Sequence, residues 1–119
     1  MERSAFEALV AEALDDLPAE IARAMDNVEV VVEAEPRPEF LEGLEPGDTL
    51  LGYYHGIPLT ERYGYDHALP DVIFIFQGPI ERLGGTPAEI RAQVRRTVIH
   101  EVAHHFGIDD DRLAELGWD

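Results

Sequence analysis

Two histidines and a glutamate stand in the run His100-Glu101-Val102-Ala103-His104, the spacing of two metal ligands with a base beside the first. On an α-helix, residues four apart differ by about 40° around the axis and about 6 Å along it, so both imidazoles can reach one ion. Glu101, about 100° from His100, is poorly placed to join them but can reach a water on the open side of the ion, where it would act as general base. Cysteine is absent and no histidine follows His105, so the third ligand of a tetrahedral zinc site is sought among the acidic residues just behind the motif. Gly107 permits a left-handed turn that brings the chain back, and Asp110, three residues beyond it, is the candidate. Asp109 and Asp111 are the alternatives and Glu115 a more distant one; in the run Asp109-Asp110-Asp111, helix capping competes with ligation.

These residues need a helix to present them, and the sequence supplies one. Thr86-Pro87-Ala88-Glu89 combines a capping box with proline at the first helical position, and Ile90, Val94, Val98 and Val102 recur every four residues as a buried stripe. Gly107 stops this helix, and a last short one is expected over about 110–116, capped by Asp109 and closed by Gly117. Upstream, Ser4-Ala5-Phe6-Glu7 reads as another capping box, and the helical spacing from Phe6 to Leu17 predicts a helix over 4–16, with a second segment from Pro18 to about 26. Alternation over Val28–Glu33 predicts a strand with one buried face, and 49–55 predicts another, in which Gly52 signals a bulge or a close approach by another backbone. The unbroken apolar run 71–76 predicts the central strand, stopped by Gly78-Pro79 before a single helical turn at 80–83. Residues 35–47 and 56–70 are rich in turn formers and would wall a cleft. The expected fold class is α+β, a small mixed sheet of three or four strands with helices on one side, and residues 1–119 are expected to form one domain.

Composition narrows the partners. Nine basic residues, all arginine, stand against 25 acidic ones, and a net charge of −16 disfavours nucleic acid and anionic membranes. The same balance favours cationic substrates or reflects adaptation to the solvent. Without cysteine there is no disulfide, thiolate zinc site or cysteine nucleophile. Met1-Glu2-Arg3 leads into an amphipathic stretch, unlike a signal peptide, so a cytoplasmic location is expected.

The pattern H-E-x-x-H-x-x-G-x-x-D resembles that of the minimal zincin-like metallopeptidases, small bacterial proteins with aspartate as third ligand. The likeness extends over Leu50–Arg62 and Pro70–Ile80, roughly the last two-thirds of the chain. It implies a zincin-type fold, Zn2+ held by His100, His104 and Asp110, and Glu101 as catalytic acid/base in the cleavage of a peptide or protein substrate. Unlike the larger metzincins, the chain has no methionine after the motif to build a Met-turn. His105 points away from the ligand pair and is expected to be packed or at the surface. His55, His67, Tyr53, Tyr54, Tyr63 and Tyr65 are candidates to donate to an oxyanion, and the strand at 49–55 could align an extended peptide at its edge. Two rival readings share these residues: a module merely stapled by its metal, and a hydrolase of non-peptide amides or esters.

Overall fold

Helix α4, Pro87–His105, carries the motif and starts where its cap dictates. Thr86 Oγ1 accepts from the Glu89 amide at 3.2 Å, and Glu89 Oε1 accepts from the Thr86 amide at 3.4 Å. It ends in a Schellman motif: with Gly107 at φ 71°, the Gly107 amide donates to His104 O at 3.0 Å and the Ile108 amide to Ala103 O at 2.9 Å. The chain therefore reverses immediately behind the second motif histidine.

The computed structural model describes residues 1–17, 19–25, 28–42, 50–55, 71–108 and 110–115. Within them, α1 (Arg3–Asp15) and α2 (Ala19–Ala24) precede β1 (Val28–Glu33), a 3-10 turn (Pro38–Leu41), β2 (Gly52–His55) and β3 (Asp71–Phe76). Helices α3 (Gln77–Leu83), α4 and α5 (Asp110–Glu115) follow. The sheet order is β1-β3-β2: β3 is central, parallel to β1 and antiparallel to β2, which among the described residues is the edge strand on the motif side. This is the expected α+β arrangement, with three described strands.

Alternation sorts the sheet into two faces. Val32, Ile73 and Ile75 pack with Phe6 and Val10 of α1 and with Val94, Val98 and Val102 of α4 in one buried cluster. Each fully buried valine contributes about 1.5–3 kcal/mol, whereas the exposed pairs Arg91–Glu12 and Arg95–Asp16, which also join α4 to α1, contribute at most about 1 kcal/mol each. The valine stripe thus decides how α4 seats. The opposite face is aromatic: Phe40 stacks on Tyr53 with centroids 4.3 Å apart and leans on Phe74 at 5.2 Å, with Arg37 above both Phe40 and Phe74.

Two expectations are corrected. Ser4 does not cap α1, which starts at Arg3 with Glu2 at the cap position and no side-chain cap bond. Long-range ties set that start: the Arg3 guanidinium donates to Val32 O at 2.8 Å, the Gln77 amide donates to Met1 O at 2.8 Å, and the Met1 ammonium lies 3.2 Å from Glu81. Gly78-Pro79 ends the strand as expected, but the helix behind it begins at Gln77, since proline in a first turn removes an amide that has no helical partner anyway.

Candidate metal centre

Residues four apart along α4 form three lanes. One is the valine stripe just described. The second, Thr97, Glu101 and His105, faces the edge strand, and all three of these side chains are buried. The third, Arg96, His100 and His104, lies toward solvent, with Arg96 exposed and both histidines half-buried.

The second lane is brought against β2 by the absence of a side chain. Gly52 faces α4, and a Cβ there would stand 2.9 Å from Thr97 Cγ2, 3.0 Å from Glu101 Cγ and 3.1 Å from Phe74 O. The close approach signalled by this glycine is therefore to the motif helix and to Glu101 itself. Glu101 is 5% exposed, and a carboxylate so buried needs partners. One is His104, whose Nδ1 lies 3.3 Å from Glu101 Oε1. Three residues on, His104 is rotated only about 60° from Glu101, which offsets the larger angle to His100. The rings of His100 and His104 meet edge to face at 4.5 Å.

One ligand atom from each of His100, Glu101 and His104 falls within 4.8 Å of the others. Nitrogen and oxygen ligands sit about 2.1 Å from zinc, so two of them are at most about 4.2 Å apart. Two imidazoles so close together, with a carboxylate beside them, are a donor set that suits zinc. Asp110 opens α5 just beyond the Schellman turn, but its side chain lies outside the described residues, as does Asp109. Beside the cluster is a cavity of about 310 Å³ between the strand entry, Leu50 to Gly52, and the α4 wall of Gln93, Arg96 and His100, with Glu101 also in its lining.

Behind the cluster lies a polar group that the sequence did not reveal. The Tyr54 hydroxyl donates to Asp71 Oδ2 at 2.5 Å, and His105 Nδ1 lies 3.1 Å from the same oxygen and 3.3 Å from the Tyr54 oxygen. Asp71 and His105 are buried side by side. The group joins β2, β3 and the end of α4, and it accounts for His105, which takes no part in the ligand cluster. The only hint was an aspartate opening a strand that is otherwise apolar.

Other expected residues fall elsewhere. Tyr53 lies on the aromatic face, away from α4, and Tyr54 is committed to Asp71, so neither is placed to serve an oxyanion. His55 pairs with Val72 and shares the face of Tyr53. His67, Tyr63, Tyr65, the rest of 56–70 and 43–49 lie outside the described residues. The described part of the 35–47 loop does not wall the motif cleft, because Phe40 covers the opposite sheet face while Pro36 and Leu41 line a separate cavity with Pro79 and Leu83. No described helix is long and apolar enough to cross a membrane.

Residues 25–118 match the zincin-like metallopeptidase family. Among solved structures, the chain is similar to a conserved hypothetical protein from Thermo thermophilus, at 27% identity and a TM-score of 0.62, over 99% of this chain and 100% of that one.

Proposed function

The chain belongs to the zincin-like metallopeptidase family, and from that premise we propose that it hydrolyses peptide bonds, with His100, His104 and Asp110 holding Zn2+ and Glu101 serving as general base. The observation that carries this reading is the burial of the Glu101 carboxylate against Gly52 and within the imidazole pair, next to an open cleft. When bound, zinc supplies Lewis-acid polarisation of the scissile carbonyl and makes water a stronger acid. Glu101 takes a proton from water at its carboxylate and returns it to the leaving amine. Burial favours this work, since a carboxylate held by His104 Nδ1 is already oriented and shielded from bulk solvent.

Strand β2 offers a place for an extended substrate. The Phe76 amide donates to Leu51 O at 3.0 Å, so alternation along the antiparallel ladder turns the backbone groups of Gly52 and Tyr54 away from β3. A peptide added there would run past Glu101.

The test is Glu101→Gln, which keeps the shape and removes the proton acceptor. Zinc content and melting temperature should be retained while cleavage of unstructured peptides falls by about 10² to 10⁴ or more. Zinc-loaded wild type that is inert toward a broad peptide library would overturn the peptidase reading. Undiminished cleavage by Glu101→Gln would overturn the role of Glu101.

A further inference from the structure

The cleft beside Glu101 contains a cation whose bonding differs from that of most described arginines. Arg37, Arg82, Arg91, Arg95 and Arg112 each pair with a carboxylate, and Arg3 is spent on the Val32 carbonyl. Arg96, exposed on the cleft wall, instead bonds the neutral side chain of Gln93, with Nη2 donating to Oε1 at 3.0 Å. Gln93 is steadied in turn: its Nε2 donates to Thr97 Oγ1 at 3.3 Å, and that hydroxyl donates to Gln93 O at 2.9 Å. Among the described residues, Arg96 makes no ion pair. Its guanidinium is thus held at the cleft by a neutral partner and keeps donors for an incoming anion.

Arg96 precedes His100 by four residues, so it emerges from the same face of α4 about 6 Å toward the helix start. An extended peptide advances about 3.3 Å per residue. We infer, resting on the peptidase reading above, that Arg96 selects peptides carrying a carboxylate side chain about two residues from the scissile bond. The overall charge of −16 works against acidic peptides at long range, but that field is screened beyond about 8 Å at physiological salt. Contact with the guanidinium then decides, bidentate geometry being open to a carboxylate and closed to an ammonium.

The test uses zinc-loaded protein and fluorescein-labelled peptides of one sequence, in which Glu, Gln or Lys is placed in turn at each of three positions on either side of the cleavable bond. Binding is read by anisotropy on the Glu101→Gln protein and cleavage by kcat/KM on the protein with Glu101 intact. At one position the Glu peptide should bind about two- to fivefold more tightly than the Gln peptide, the range of one exposed ion pair, with the gap closing at high salt. Arg96→Gln should erase the preference, and Arg96→Glu should transfer it to the Lys peptide, both variants melting as wild type does because the residue is exposed. Absence of any Glu preference, or one that survives Arg96→Glu, overturns the inference. Acidic preference in binding without cleavage by wild type would uphold Arg96 and overturn the peptidase reading, whereas cleavage without preference would do the reverse. Peptides that neither bind nor are cut overturn both.

Discussion

Adding one methyl group at Gly52 should damage the site from behind. In Gly52→Ala the new Cβ would meet Thr97 Cγ2, Glu101 Cγ and Phe74 O at 2.9, 3.0 and 3.1 Å. Carbon atoms ordinarily approach to about 3.5–4.0 Å, so relief requires movement of roughly 0.5–1 Å. Phe74 O belongs to the central strand and is paired through the sheet, which leaves β2 or α4 to give way. Overpacking of this kind costs about 1–3 kcal/mol, and at about 3–6 °C per kcal/mol for a chain of this size the melting temperature should fall by roughly 5–15 °C. A Glu101 displaced by a fraction of an ångström should also cut kcat by roughly tenfold, with little change in KM. Differential scanning fluorimetry and peptide kinetics read the two effects. Thr97→Ser removes the Cγ2 methyl and keeps the hydroxyl that bonds Gln93, so Gly52→Ala/Thr97→Ser should recover part of the loss, with a coupling of at least about 0.5 kcal/mol. Gly52→Ala that melts as wild type does and keeps its activity would refute the reasoning.

Further outcomes are expected from the candidate site and its surroundings. His104→Ala should abolish stoichiometric zinc binding measured by elemental analysis after dialysis, and chelation of the wild type should lower its melting temperature by an amount that grows with the zinc concentration it is compared against. Asp110→Ala should weaken zinc far more than Asp109→Ala or Asp111→Ala in a competitive chelator titration, whereas loss of a helix cap would cost about 1 kcal/mol of stability and leave the metal in place. Asp71→Ala, which strips the acceptor from both Tyr54 and His105, should cost about 3 kcal/mol or more in denaturant unfolding, against roughly 1 kcal/mol for Tyr54→Phe.

What was legible in the sequence is what neighbours along the chain decide. The Thr86 cap, the valine stripe, the left-handed Gly107 and the continuous apolar strand 71–76 depend on residues within a turn or two, and each stands where its spacing puts it. The motif histidines converge for the same reason, both belonging to one helix. The start of α1 departs from the local Ser4 pattern because its anchors, Val32, Gln77 and Glu81, are distant in sequence and outweigh it. Asp71 and His105 likewise meet only through the packing of β3 on α4. Gly52 falls between these cases, since a glycine within a strand announces a close neighbour without saying which one.

The parallel register of β1 with β3 bears on the order in which this protein folds. Val28 is matched with Asp71 and Glu33 with Phe76, so the pairing must wait until the long intervening connection, which also delivers β2 to the opposite edge, has been closed. Helix α4 and the β2–β3 pair involve shorter closures, while α1 reaches α4 only from the other end of the chain. Contact order of this kind puts refolding on the millisecond-to-second scale, with helical signal rising first and the two long closures, β1 on β3 and α1 on α4, coming last. In stopped-flow refolding a zinc-responsive dye should report no earlier than the helical phase, since the motif histidines converge only once α4 has formed.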